Sequence, residues 1–228
     1  MSKVEAPNMS TDNISTNNVQ SYPYIEWFRD DVIDAVPAKA ECVLSVGCGT
    51  GFTEAELVKR GIKVMGVEIH QEAAKIARQR GLTILEGDAS EVCVETNGML
   101  FDCIIYADIL EHLPDPVAVL KRHLKYLKPG GIVYISIPNF RHYSVFWELF
   151  VRGHVRYKDG GILDRTHLRI TTRRMVKEWF EQAGLKFISH RYIKVGRKAN
   201  LLAAIFLWIA QEFTSIQVGL TARKDGTT

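Results

Sequence analysis

Residues 43–52 read Val-Leu-Ser-Val-Gly-Cys-Gly-Thr-Gly-Phe. A run suited to a buried strand breaks into alternating glycines, Gly47, Gly49 and Gly51. Few ligands need bare backbone at the end of a strand. A strand that turns on glycine and then enters a helix offers main-chain N–H groups to a ligand with no side chain in the way. The spacing is Gly-x-Gly-x-Gly. The dinucleotide fingerprint Gly-x-Gly-x-x-Gly needs glycine at 52, where this chain has Phe52. That turns the reading away from nicotinamide and flavin dinucleotides.

The surroundings give the loop its meaning. Thr53 and Glu56 have the spacing of a Thr-x-x-Glu capping box, so a helix is expected over 53–61, ended by Gly61. Residues 63–67 read as a second strand ending at Glu68, where an acid can accept hydrogen bonds from ribose hydroxyls. A helix over 71–80 stops at Gly81. A third strand, 82–85, leads to Gly87-Asp88-Ala89, and a fourth, 101–106, to Ala107-Asp108. Strands alternating with helices through short connections imply a parallel, doubly wound sheet. Ligands in such sheets bind beyond the carboxyl ends of the strands, where Gly47, Glu68, Asp88 and Asp108 all fall.

The second half continues the pattern. Asp115-Pro116 supplies an N-cap acid and a first-turn proline for a helix running to about residue 128, before Pro129-Gly130-Gly131. Residues 132–137 form the expected fifth strand. Thr171 is expected to cap a helix with Met175, Val176, Trp179, Phe180 and Ala183 on one face and Gly184 at its end. Residues 185–193 and 214–223 read as two last strands, and 22–36 as a leading helix over the cleft.

Four blocks, VLSVGCGTG, GVEIH, EGDAS and FDCIIYADILEHLPDPVAVLKRHLKYLKPGGIVYISIPN, resemble those of class I S-adenosylmethionine-dependent methyltransferases. The resemblance runs over 22–224. It implies a Rossmann-like α/β fold: a doubly wound seven-stranded sheet with an antiparallel terminal hairpin and a lid inserted after the fifth strand. On that reading 21–228 is the methyltransferase domain, with 140–170 the lid. S-adenosylmethionine is the implied donor and S-adenosylhomocysteine the product. Implied cofactor contacts are Ser45, Gly47, Cys48, Gly49 and Gly51 for the methionine part, Glu68 for the ribose, and Ile69 as a further contact. Asp88 and Ala89 are implied for the adenine. Where the family usually has an acid, two residues before the first glycine, this chain has Ser45. The cofactor's amino group then falls to Asp108 or to water. A later block, IPNFRHYSVFWELFVRGHVRYKDGGILDRTHLRITT, is similar to a bacterial subgroup associated with glycan and glycolipid biosynthesis.

Residues 140–170 are too long for a plain connection, and long connections in compact domains are usually lids or binding loops. The stretch mixes aromatics with arginines, which stack on rings and grip phosphate or carboxylate. Asn139, His142, Tyr143 and Arg165 are the expected substrate contacts. Methyl transfer needs an aligned nucleophile, exclusion of water and, for a hydroxyl, a base. Histidine suits the last task. His112, just past the fourth strand, and His167, in the lid, are the candidate catalytic residues. A different reading of Asp108, Glu111, His112 and His167 is a divalent cation site, magnesium if oxygen-rich, zinc or manganese with imidazole. It is not the favoured one, and no metal ligand is assigned.

Composition sets the remaining bounds. A net charge of +3 on 228 residues is too slight to imply nucleic acid. Cys42, Cys48, Cys93 and Cys103 lack metal spacing and fit a reduced, cytoplasmic protein. Residues 1–20 are polar and rich in Ser, Thr and Asn, as in a disordered tail. Residues 201–210, LLAAIFLWIA, fall short of the roughly 20 apolar residues of a spanning helix. The preferred reading is a buried helix. The alternative is a peripheral contact with the inner membrane face or a lipid-linked substrate, helped by Arg191, Lys194, Arg197 and Lys198 just before it. The function expected is methyl transfer to a hydroxyl of a saccharide, glycolipid or similar small polar acceptor. N- or C-methylation and a catalytically idle cofactor-binding subunit are the alternatives.

Overall fold

The computed structural model describes residues 26–94, 98–195 and 209–226. The expected tail at 1–20 lies outside them, as does the apolar run 201–210 except for its last two residues. The strands are β1 (Cys42–Val46), β2 (Lys63–Glu68), β3 (Thr83–Glu86), β4 (Phe101–Ala107), β5 (Leu127–Pro138), β6 (Leu185–Val195) and β7 (Ser215–Lys224). They form one sheet in the order β3-β2-β1-β4-β5-β7-β6. Neighbours from β3 to β5 are parallel, and β7 runs antiparallel between β5 and β6. The order reverses between β1 and β4, so the crevice at their carboxyl ends is the switch point where such sheets bind ligands.

The helices are α1 (Asp30–Ala35), α2 (Glu54–Lys59), α3 (Gln71–Gln79), α4 (Pro116–Leu124), α5 (Tyr143–Phe146), α6 (Arg173–Gln182) and α7 (Ile209–Thr214). Period-two alternation in the strands sorts the core into two layers. Leu44, Val46, Ile104, Tyr106, Val133 and Ile135 pack with residues of α4 and α6. Val43, Cys103, Ile105, Ile132 and Tyr134 pack with residues of α1, α2 and α3. Each fully buried aliphatic side chain stabilises by about 1.5–3 kcal/mol relative to exposure.

Several boundaries differ from those expected. Among the described residues the leading helix is α1 alone, because Arg29 leaves helical backbone and turns its side chain inward. The Thr53 capping box does not form: Thr53 has helical backbone, and its hydroxyl accepts from the Arg29 N–H at 3.2 Å. Thr172, not Thr171, caps α6, accepting from the Met175 N–H. The Thr171 hydroxyl donates to the Pro138 carbonyl. Helix α4 stops at Leu124 because Leu127 already pairs with Phe101 in the sheet. Asp115 does cap it, accepting from the Ala118 N–H at 3.0 Å.

One buried pair couples the fold to pH. His123 on α4 is fully buried, and its Nδ1 lies 3.0 Å from the Tyr106 hydroxyl. Burial, with Arg122 and Lys125 adding to it, lowers the imidazole from 6.5 to about 4. The unfolded chain therefore takes up a proton that the folded chain refuses. The stability associated with neutral His123 is complete above about pH 6.5 and is lost as pH falls towards 4. The full loss is on the order of 3 kcal/mol. Urea titrations at pH 7 and pH 5 should show His123→Gln losing less stability over this interval than the parent. Glutamine can still accept from Tyr106 but has no proton to gain.

Candidate functional site

All three loop glycines have positive φ, at +71° for Gly47, +55° for Gly49 and +67° for Gly51. Their surroundings differ. A methyl group on Gly47 would meet Ile109 at 2.9 Å, and one on Gly51 would meet Leu82 at 2.9 Å. A methyl group on Gly49 would meet nothing within 4 Å. Gly47 and Gly51 are required by packing, and Gly49 is the one that faces open space.

Glu68 ties this loop to the end of β2. Its Oε2 accepts from the Gly49 N–H at 2.8 Å, and its Oε1 from the His70 N–H at 2.9 Å. A carboxylate has about four acceptor positions, so two remain for ligand hydroxyls. Ile69 beside it is 57% exposed and offers an apolar face. Asp88 accepts from the N–H and the hydroxyl of Ser90, both on Oδ1, and Ala89 is buried next to it. Cys48 is buried, and burial with the charges of Glu54 and Glu68 pushes its thiol well up, so it acts as a neutral packing group.

Ser45 is buried in β1. Its hydroxyl donates to Glu54 Oε1 at 2.7 Å. Glu54 is buried, and burial raises its carboxyl above the usual range. Glu54 thus sets a buried carboxyl beside Ser45, a partner the sequence reading missed.

Asp108 has φ +54°, a backbone that aspartate tolerates better than most residues. Its side chain belongs to a buried ionic network. Arg29 Nη1 donates to Asp108 Oδ2, and Nε and Nη2 donate to the two oxygens of Asp31 at 2.8 Å each. Nη2 also reaches the Ser136 hydroxyl at 2.9 Å, and Gln217 Nε2 donates to Asp108 at 2.7 Å. The Tyr134 hydroxyl donates to Asp31. Burial alone would lower Arg29. Hydrogen bonds to Asp31 and the charges of Asp108 and Asp31 outweigh it and hold the guanidinium well above its ordinary value.

Past Asp108 comes a short 3₁₀ turn, Leu110–His112. The structure brings His112 and His167 together, edge to face, with ring centroids 4.8 Å apart. Leu168 N–H donates to the Glu111 carbonyl, pinning the lid to this turn. His167 Nδ1 donates to the Ile162 carbonyl at 3.1 Å, which leaves Nε2 as the bare nitrogen, 4.0 Å from Glu111 Oε1. His112 Nδ1 lies 3.2 Å from the carbonyl and the hydroxyl oxygen of Thr166. Glu111 is buried, and its Oε2 has no hydrogen-bond partner among the described residues. Burial, then the neighbouring Asp108 charge, raises Glu111 well above the carboxylate range. Burial, then His112, lowers His167. One donor atom from each of Glu111, His112 and His167 fits within 4.8 Å.

The four expected substrate contacts do not join this cluster. Asn139 is buried, with Nδ2 donating to the Glu212 and Ser215 carbonyls and Oδ1 accepting from the Arg141 N–H. Its amide pins the turn after β5. His142 caps α5 through Nδ1, which accepts from the Ser144 N–H. Tyr143 is exposed against the His142 ring, and Arg165 pairs with Asp159 at 2.8 Å in solvent. Arg29 and Glu54 are the groups at the site that sequence reasoning overlooked. The one signal for Arg29 was a charge set between apolar pairs, Trp27-Phe28 and Val32-Ile33.

Residues 25–190 match a family described as a methyltransferase domain. The Ubiquinone biosynthesis O-methyltransferase of Idiomarina loihiensis is 35% identical over 102 residues, 42% of this chain and 42% of that protein. Its counterpart in Aliivibrio fischeri is 36% identical over 102 residues, 42% of this chain and 44% of that protein. The chain thus spans less than half the length of the curated relatives it matches. Among solved structures, a SAM-dependent methyltransferase from Thermotoga maritima superposes with a TM-score of 0.60 at 19% identity, covering 86% of each chain. The cyclase SpnF superposes with a TM-score of 0.61 at 22% identity, over 87% of this chain and 80% of that one. At these identities the likeness is one of fold, and a fold shared by a transferase and a cyclase leaves the reaction to the site.

Arg29→Met should lower stability by about 3–5 kcal/mol, because it strands Asp31 and Asp108 without their cation. Arg29→Lys should recover only part of this, since an ammonium cannot bind Asp31 with two parallel bonds. Urea unfolding of both variants at pH 7 tests the order.

Proposed function

This chain belongs to the methyltransferase domain family, and from that membership we propose that it moves the methyl group of S-adenosylmethionine to a hydroxyl of a small acceptor. The observation that carries the reading is the pairing of Gly49 with Glu68. A glycine with open space before it is fixed by a carboxylate that still has two acceptor positions, which suits the methionine and ribose parts of that donor. Ile69 and Asp88 suit the adenine as an apolar face and an acceptor. The donor supplies an activated methyl on a sulfonium. The chain aligns the acceptor, excludes water and takes a proton.

Oxygen is the preferred acceptor atom for two reasons. The curated relatives are O-methyltransferases by name. A hydroxyl is also the acceptor that most needs a base, and His167 Nε2 is a bare nitrogen with a lowered pKa beside Glu111. His167 is the proposed base. His112 and Glu111 orient the acceptor. The aromatics and arginines of the lid suit a saccharide, a glycolipid or another lipid-linked ring as acceptor.

A second reading rests on Glu111 Oε2, a buried carboxyl oxygen without a partner among the described residues. Glu111, His112 and His167 suit a divalent cation with two imidazoles and one carboxylate, which would lower the pKa of an acceptor hydroxyl in place of a base.

Calorimetry with S-adenosylhomocysteine should show Glu68→Ala binding at least about tenfold more weakly than the parent. Unchanged affinity removes the ribose assignment. His167→Ala should slow transfer of radiolabelled methyl to the acceptor by about 10²–10⁴-fold while leaving S-adenosylhomocysteine affinity intact. Dialysis of the parent against a chelator separates the two readings. Full activity afterwards leaves the base, and activity restored only by magnesium, manganese or zinc favours the cation.

A further inference from the structure

Helix α5 runs directly into a π-helical turn, Trp147–Val151, to make one continuous helical stretch, Tyr-Ser-Val-Phe-Trp-Glu-Leu-Phe-Val. Only Ser144 and Glu148 in it are polar. Tyr143, Phe146, Trp147 and Phe150 recur at the spacing that would normally face a core. They face outward: Phe146 is 58% exposed, Trp147 52% and Phe150 70%. Leu149 and Val151 are exposed beside them, and Phe146 and Phe150 stack with centroids 4.8 Å apart. Contiguous exposure on this scale marks an interaction surface.

The flanking charges say which kind. Arg141 precedes the stretch, and Arg152, Arg156 and Lys158 follow it within seven residues of its end. Arg141 and Arg152 have acidic partners in Glu212 and Glu148. Arg156 and Lys158 are in no ion pair among the described residues. A second copy docked on this face about a two-fold axis would bring the same cations against each other. A helical stretch of this length is far too short to cross a bilayer. Tryptophan, tyrosine and phenylalanine with basic neighbours suit the boundary between head groups and acyl chains.

We propose that residues 143–151 form an interfacial helix that docks the protein on an anionic bilayer surface, Arg156 and Lys158 meeting the head groups. The surface belongs to the lid itself. The same lid carries His167, whose ring lies 6.3 Å from that of Phe140 at the lid's other end. An acceptor drawn from the membrane would thus enter at the end of the cleft where His112 and His167 meet. This entry route rests on the methyl-transfer reading, whereas the docking itself does not.

The test is co-sedimentation of the full chain with vesicles of phosphatidylcholine, alone or with about 30 mol% phosphatidylglycerol. The parent should pellet with the anionic vesicles and bind at least about tenfold more weakly to neutral ones or in high salt. Phe146→Ser/Phe150→Ser should lose at least about tenfold in vesicle affinity, and Arg156→Glu/Lys158→Glu should lose the preference for anionic lipid. Both variants change exposed positions, so circular dichroism and S-adenosylhomocysteine affinity should match the parent. Vesicle binding with no cofactor affinity in any protein would leave docking standing and remove the methyl-transfer reading. The docking proposal is overturned by a parent that stays in the supernatant. It is equally overturned by a double serine variant that pellets like the parent, since the contact then lies elsewhere in the chain. A parent that sediments as a dimer dissociated by the serine changes, with no vesicle binding, assigns the face to a second copy.

Discussion

One buried guanidinium organises the carboxyl edge of this sheet. Arg29 comes from the segment before α1, yet its hydrogen bonds reach Asp31 beside it, Asp108 at the end of β4 and Ser136 in β5. A charge in that position is stable only because each neighbour answers it, and removing any one leaves the others worse off. The arrangement fixes how the first helix lies on the sheet. It also holds Asp108 in its left-handed backbone, from which the chain turns to present Glu111 and His112. The positions of Glu111 and His112 therefore depend on a residue far from them in sequence.

The glycine loop divides its work in a way that spacing alone conceals. Gly47 and Gly51 give up their side chains to Ile109 and Leu82, so the loop can lie close against its neighbours. Gly49 gives up its side chain to empty space. The Glu68 carboxylate makes the loop and the strand end one rigid unit through two backbone N–H groups. A ligand meets a preformed surface there and does not have to order it, which lowers the entropic cost of binding.

Much of this was legible in the sequence where the signal was local. The strand-to-glycine break, the acid ending β2 and the Asp115-Pro116 helix start each depend on residues within a few positions of one another. The errors fall where a distant partner prevails. Thr53 looked like the first residue of a capping box, but the Arg29 backbone claims its hydroxyl. Thr171 looked like a cap, but the Pro138 carbonyl claims it and the neighbouring threonine caps instead. Asn139 and His142, expected at the substrate, each also hold a local turn, Asn139 by accepting from the Arg141 N–H and His142 from the Ser144 N–H. Arg29 was illegible because its partners Asp108 and Ser136 lie 79 and 107 positions away. No periodicity or motif connects residues at that separation.

The contact between β5 and β7 has a consequence for how such a chain can vary. Tyr134 crosses over Gly219, where even a methyl group would collide with its hydroxyl, and that crossing brings the hydroxyl to Asp31. Neither residue is free to drift alone. A larger side chain at 219 evicts the tyrosine and leaves Asp31 to its two bonds from Arg29. A smaller one at 134 opens a void that a side chain at 219 could then occupy. The two positions form an epistatic pair, and a lineage that abandons one must compensate at the other and replace the hydrogen bond lost at Asp31 as well.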